Sequence, residues 1–353
     1  STSQRSTESP RVRNMGHTIK ADATLMASDP REASAAAKTF EDQGFDGLIS
    51  FEGPHDPFLP LALAAAGTEK IELRTGVAIA FARNPMTCAQ LANDLQLGSG
   101  GRFILGLGTQ IRPHIEKRFS QQWSRPNHRM REFVHAIRAI WRSWNEGEKL
   151  DFRGEFYTHT LMTPFFNPGP NSFGPPPIYL AGFGPSMIKI VGEVADGWFI
   201  HPLHSRDYML KVALPALDAG LASSGRTRAN LAISSQIITM VGDNDEQLER
   251  ARQGAKAQIA FYSSTPAYRG VLEHHGVDNL QPTLNAMSKQ GRWSEMVELV
   301  SDNLLDLIGI SGRPSEISAQ LRARNDFADR VTMVLYNEAA PEAVDDIVQS
   351  LKS

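Results

Sequence analysis

Residues 71–108 read IELRTGVAIAFARNPMTCAQLANDLQLGSGGRFILGLG, and this stretch decides the fold. A β-like run over Glu72–Ala80 comes first. Asn84-Pro85 then supplies a capping side chain and a proline at the first helical position, and the helix ends by Gly98. A second apolar run, Arg102–Leu107, follows. Strand, helix and strand in so short a segment form a βαβ unit. The alternation continues in both directions. Upstream lie Thr18–Leu25, a helix opened by Asp29-Pro30 and stopped at Gly44, then Asp46–Phe51 and a helix from about Pro57 to Ala66. Downstream, Met130, Phe133, Val134, Ile137, Ile140 and Trp141 recur at helical spacing. Phe152–Thr160 alternates like an edge hairpin, and a Pro/Gly-rich loop covers 163–177. Four further strands are expected at Ile178–Ala181, Gly197–His201, Leu231–Val241 and Arg330–Tyr336. Helices are expected near 185–194, 207–222, 314–324 and 341–351, with a helical insertion reaching about Leu307.

Eight strand–helix units are what a (β/α)₈ barrel requires, whereas a doubly wound sheet would leave two or three units without a place. The reading is one TIM barrel over residues 15–353, with excursions after the fourth and seventh strands. Ser1–Asn14 is polar, rich in Ser and Arg and aperiodic. It reads as a disordered leader or an appended remnant, with Met15 a candidate start.

The 353 residues carry 36 Lys plus Arg against 39 Asp plus Glu, so 36 − 39 gives a net charge of −3. That balance provides no broad field for nucleic acid or membrane lipid. One cysteine, Cys88, rules out an internal disulfide framework and a thiolate zinc cage. No apolar run approaches the ~20 residues that span a bilayer, and the N-terminus lacks a signal-like apolar region. A cytoplasmic enzyme acting on a small molecule is the expectation.

In such a barrel the active site forms at the C-terminal ends of the strands. After the second strand, Glu52 and His55 sit where proton transfer near pH 7 is useful, while Asp56 reads as the cap of the helix that Pro57 begins. In the third strand, Gly76-Val77 marks either a bulge that approaches a ligand or a glycine packed against a neighbour. The fourth strand ends in Gly106-Leu107-Gly108-Thr109, small enough for something flat to approach the backbone. The fifth leads into Gly182-Phe183-Gly184-Pro185-Ser186-Met187. A glycine loop feeding a helix start offers backbone N–H groups to an anion, though a plain tight turn reads the same way. His201 and His204 after the sixth strand have a spacing open to a metal. His201 precedes a proline, however, and the first strand ends without an H-x-H, so no metal is expected.

At these strand ends the chain resembles the bacterial luciferase-like barrel superfamily, and within it the actinobacterial branch using the deazaflavin coenzyme F420. The likeness is carried by Gly44-Phe45-Asp46-Gly47-Leu48, His55-Asp56-Pro57-Phe58-Leu59-Pro60 and Arg83-Asn84-Pro85-Met86-Thr87. It continues in Gly100-Gly101-Arg102-Phe103-Ile104-Leu105-Gly106-Leu107-Gly108, Arg153-Gly154-Glu155-Phe156-Tyr157 and Gly192-Glu193-Val194-Ala195-Asp196-Gly197. The resemblance implies a deazaflavin, or alternatively FMN, lying across the mouth and backed by a non-prolyl cis peptide at Gly76-Val77. Gly106, Gly108 and Thr109 would adjoin the ring, and Gly182–Met187 would hold the phosphate. A histidine beside the ring in related deazaflavin enzymes is matched most nearly by His55, displaced by the Gly53-Pro54 insertion. Some relatives place a proton-donating glutamate just after strand four. This chain has Thr109-Gln110 there, so Glu52 takes that task or the mechanism differs.

The implied reaction is hydride exchange between coenzyme F420 and a small organic substrate. His55 or Glu52 would handle the proton, Trp198 and Phe183 would bound the substrate, and His201 would hydrogen-bond it. Thr163–Pro177 and the 243–307 insertion are candidate lids. The rivals are a monooxygenase using reduced FMN and a non-catalytic flavin- or deazaflavin-binding barrel. Related barrels often form dimers, and the near-neutral charge does not oppose a homodimer.

Overall fold

The computed structural model describes residues 18–26, 29–336 and 341–353; the leader expected over residues 1–14 lies outside them. Eight parallel strands form the core: β1 Lys20–Thr24, β2 Gly47–Ser50, β3 Glu72–Thr75, β4 Phe103–Gly108, β5 Ile178–Ala181, β6 Gly197–Ile200, β7 Ala232–Val241 and β8 Arg330–Leu335. Each pairs with its neighbour, and β1 pairs with β8 at Lys20–Arg330, so the sheet closes on itself. Closure excludes the doubly wound alternative and gives the expected barrel.

Helices cover the outside. α1 is Ala33–Asp42, α2 Phe58–Gly67, α3 Pro85–Gly98, α4 Pro126–Glu146, α5 Pro185–Val194, α6 Leu214–Ser223, α7 Pro314–Arg324 and α8 Pro341–Lys352. Their starts follow the sequence signals. Asn84 accepts the Thr87 N–H at 3.0 Å to cap α3, and Asp56 accepts the N–H groups of Phe58 and Leu59 at 2.8 and 3.1 Å to start α2. Met130, Phe133, Val134, Ile137, Ile140 and Trp141 are all buried, so the periodicity of α4 marks its inner face. Between α4 and β5, Phe152–Arg153 and Thr158–His159 form the short antiparallel hairpin. The segment after β7 holds a long helix, Asp245–Ser263, several shorter ones, and a strand Ile310–Gly312 that pairs with the overhang Thr239–Val241.

The barrel interior is charged as well as apolar. Asp22 on β1 accepts hydrogen bonds from Arg330 Nε at 2.8 Å and Nη2 at 2.6 Å, and from Arg74 Nη2 at 2.9 Å. Arg330 also reaches Glu72. The cluster explains Gly47 opposite it: a side chain there would overlap the Asp22 carboxylate and come within 2.5 Å of Arg330 Nη2. The Arg74 guanidinium lies against the rings of Tyr179 and Phe199, 5.4 and 5.0 Å from their centroids.

Glu41, near the end of α1, organises the approach to β3. Its Oε1 accepts the backbone N–H groups of Glu69, Lys70 and Ile71 at 2.9, 2.6 and 3.0 Å. Partial burial disfavours the charge, but these donors outweigh it and hold the carboxyl down at about 2, below its ordinary 4.5. A depressed folded-state value means the stabilisation is complete above pH 4.5 and is lost as pH falls toward 2. Glu41→Ala is expected to cost ~1.5–3 kcal/mol at pH 7, the range for hydrogen bonds to a charged group. Urea unfolding at several pH values checks this: the gap between wild type and variant should narrow below pH 4.5, and a gap independent of pH would refute the role.

Candidate functional site

At the barrel mouth β3 does not run straight. It stops at Thr75, resumes as Ala78–Ile79, and crosses the break through a cis peptide between Gly76 and Val77. Both residues are half-exposed, whereas Leu73–Thr75 and Ala78–Phe81 on either side are buried. The break is held from both flanks. Gly76 N–H donates to Ser50 O at 2.8 Å, and Val77 O accepts Glu52 N–H at 3.1 Å. On the other flank, Thr75 Oγ1 accepts Gly106 N–H at 2.8 Å and donates to Gly106 O at 2.7 Å. The result is a short open ledge of backbone facing the mouth.

The glycines around the ledge serve the protein's own packing. A side chain on Gly76 would strike Ile49, one on Gly106 would overlap Thr75 O, and one on Gly108 would come within 2.7 Å of Val77 Cγ2. Gly106 and Gly108 are buried, so their part is to let β3 break. Thr109, at the end of β4, is half-exposed at the mouth.

Glu52 and His55, read together from the sequence, have separate surroundings. The Glu52 side chain is 7% exposed, and its Oε2 accepts Ile79 N–H at 2.7 Å and Arg83 Nη1 at 2.6 Å. Burial alone would lower the Arg83 guanidinium's value, but Glu52 outweighs burial and raises it. Asp56 accepts a second bond from Arg83 at 3.1 Å. Glu52 therefore braces the far side of the β3 break. His55 stands exposed on the rim, beside a cleft of about 190 Å³ that Leu25, Met26 and Phe51 also line. Arg118, from the loop after β4, donates to Gly53 O at 2.6 Å and fixes the His55 loop from above.

At the end of β5, Gly184 has φ +77° and ψ 146° as it leads into α5, a conformation that suits glycine. No side chain caps this helix, and a Cβ on Gly184 would meet nothing within 4 Å. Ser186 is exposed there, while the Met187 side chain is buried, leaving only its backbone for a ligand. Gly182 is buried too, and its carbonyl accepts the Trp198 indole N–H at 3.1 Å.

That bond corrects the placement of Trp198. It is 1% exposed and faces the helix layer near Gly182, because the inward position of β6 belongs to Phe199, whose ring lies against Arg74. Trp198 does not line the mouth. His201 does. Its Nδ1 accepts Leu203 N–H at 3.1 Å, so the proton resides on Nε2. Burial, helped by His204, pushes its value down to about 3, and the ring is neutral at pH 7. Phe183, Tyr262 and Tyr268 surround it, with Tyr336 behind Tyr262 at an OH–OH distance of 3.5 Å. The three tyrosines are the residues sequence reasoning missed. Phe261-Tyr262 followed by Tyr268, in a segment expected to overlie the mouth, was the available signal. No group of three or more His, Cys, Asp or Glu able to hold a metal occurs among the described residues. No helix among them is long and apolar enough to cross a membrane.

The chain is 47% identical over 335 residues to an uncharacterised protein of Mycobacterium tuberculosis, covering 95% of this chain and 98% of that one. A 5,10-methylenetetrahydromethanopterin reductase of Archaeoglobus fulgidus is 30% identical over 292 residues, 79% of this chain and 82% of its own. Among solved structures, the coenzyme F420-dependent tetrahydromethanopterin reductase of Methanopyrus kandleri shares the fold at a TM-score of 0.77 and 19% identity, over 95% and 98% of the two chains. The luciferase-like monooxygenase family model matches residues 10–330. With that match from the first strand to the start of the last, the broken third strand included, the chain belongs to the luciferase-like family.

Proposed function

We propose that the protein is an oxidoreductase that uses coenzyme F420 to exchange a hydride with a small organic substrate. The observation that carries this reading is that the C-terminal ends of β3 and β5, one strand apart in the sheet, carry the half-exposed Gly76–Val77 ledge and the uncapped helix start at Gly184. A flat ring with a phosphate-bearing tail fits that pair. The ledge leaves backbone half-exposed at Gly76 and Val77, and the start of α5 presents N–H groups at the positive end of the helix dipole. The family match and the F420 dependence named for the Methanopyrus kandleri enzyme support the choice of cofactor.

The deazaflavin would supply the hydride chemistry when bound; the protein supplies position and proton management. Gly76, Val77 and Thr109 would adjoin the ring, and Gly184, Ser186 and the Met187 N–H would take the phosphate. His55, exposed on the rim, is the group we assign to proton transfer. Glu52, committed to Ile79 and Arg83, is a positioning residue for the ledge. His201, neutral with its proton on Nε2, is a hydrogen-bond donor to a substrate oxygen.

Parallel titrations of the purified protein with F420 and with FMN, followed by cofactor fluorescence, test the proposal. Saturable F420 binding at least about tenfold tighter than FMN binding, a difference of ~1.4 kcal/mol, is expected. Tight FMN binding without F420 binding would overturn it in favour of the reduced-FMN monooxygenase.

A further inference from the structure

The mouth is built unevenly. Its β1–β4 side is open and apolar, with Met26, Phe51 and Ile111 exposed. Its β5–β8 side is roofed by rings from four parts of the chain. Phe183 comes from the loop after β5, His201 from the end of β6, Tyr262 and Tyr268 from the insertion after β7, and Tyr336 from the end of β8. All five are half-buried, unlike the fully buried aromatic side chains of the core such as Phe81, Phe103 and Phe133.

Their mutual geometry is that of a slot with a ring in it. Tyr268 lies on His201, with centroids 4.2 Å apart and planes 30° from parallel. Phe183 meets the Tyr268 ring at 4.6 Å and 65°, and Tyr262 meets His201 at 4.5 Å and 74°. One planar ring is thus stacked on an imidazole floor between two steep aromatic walls, a favourable arrangement for any aromatic group. Tyr268 belongs to a three-residue turn, Pro266–Tyr268, whose Pro266 and Ala267 are exposed. None of the five rings has a hydrogen bond or ring contact to an Asp, Glu, Lys or Arg side chain among the described residues. An ionised ligand entering here would lose its hydration without gaining a partner.

We infer that the slot now filled by the Tyr268 ring is a substrate subsite, and that it takes an uncharged planar ring carrying an oxygen that accepts the His201 Nε2–H. Tyr268 is its placeholder and swings out when the substrate enters. The inference deepens the proposed oxidoreductase reading and rests on it for the word substrate; the slot itself stands on the ring geometry.

Ligand-observed NMR on the full chain without cofactor tests it, with acetophenone as the neutral ring probe, benzoate as the charged one and acetone as the acyclic one. Acetophenone is expected to bind at least about tenfold more tightly than either of the others. Tyr268→Ala should tighten acetophenone binding, whereas Phe183→Ala, which removes a wall, should weaken it; a chance cavity would make both variants bind better. His201→Phe should abolish the preference for acetophenone over toluene. Equal binding of benzoate and acetophenone, or tightening in both alanine variants, overturns the inference. F420 titration of the same wild-type sample keeps the two readings apart. Ring binding without F420 binding sinks the cofactor assignment alone, and F420 binding without ring binding sinks the subsite alone.

Discussion

Asp22→Ala is expected to lower the unfolding free energy by about 3–5 kcal/mol at pH 7, the cost of leaving a buried charge without its partner. Asp22 is 2% exposed and balances two guanidinium groups that are equally buried, Arg74 at 2% and Arg330 at 4%. Removing it leaves them unequal. Arg330 keeps Glu72, but Arg74, whose Nε and Nη1 already lack protein partners, keeps only the faces of Tyr179 and Phe199. Asp22→Asn should also destabilise, because it preserves shape and removes the charge. Replacing the cluster together, as Asp22→Leu with Arg74→Met and Arg330→Met, should recover much of the loss, since apolar groups carry no desolvation penalty. Acid should act through the same carboxyl. Burial pushes its value up, but Arg330 and Arg74 outweigh burial and hold it below the ordinary 3.8. Its contribution is therefore complete above that value and fades as pH falls below it. Urea unfolding followed by tryptophan fluorescence measures all four proteins. A loss for Asp22→Ala under about 1 kcal/mol, the size of an exposed pair, would show that the cluster contributes little.

The contrast between this cluster and the outer frame shows what a sequence can disclose. Signals that act within a few residues were legible: the Asn84-Pro85 start of α3, the Asp56 cap of α2, the apolar stripe of α4, and the strand–helix count that closes the barrel. The Gly76-Val77 break was located by its glycine and by family likeness. What was hidden depends on partners far apart in the chain. Glu52 looked free for proton transfer because Arg83 and Ile79, which occupy it, come from beyond the next helix. Trp198 reads as a wall of the mouth because β6 is buried on both faces, so its alternation carries no parity, and only the Arg74 guanidinium against the Phe199 ring reveals which residue points inward. Tyr262, Tyr268 and Tyr336 converge from the insertion and the last strand, a meeting that no local pattern encodes.

Thr75→Val is expected to be the most damaging conservative change at the site, costing ~2–6 kcal/mol of stability and weakening cofactor binding. Thr75 is fully buried, and its hydroxyl satisfies both backbone groups of Gly106, accepting the N–H and donating to the carbonyl. Valine keeps the branched shape and removes the oxygen. Two buried backbone groups then lose their partner, at roughly 1–3 kcal/mol each. The backbone can satisfy them only by drawing β3 against β4, and that would straighten the break that presents Gly76 and Val77. If the ledge supports the deazaflavin ring, F420 affinity should fall about tenfold or more, corresponding to ~1.4 kcal/mol of lost binding. Thr75→Ser, which keeps the hydroxyl and loses one methyl, should cost ~1 kcal/mol of stability and leave F420 affinity nearly unchanged. Urea unfolding and fluorescence titration on the two variants separate the possibilities. A destabilised Thr75→Val protein that still binds F420 like the wild type would detach the ledge from the cofactor. A Thr75→Val protein as stable as the wild type would show that the Gly106 groups find other partners, and that the break of β3 is held by Ser50 and Glu52 alone.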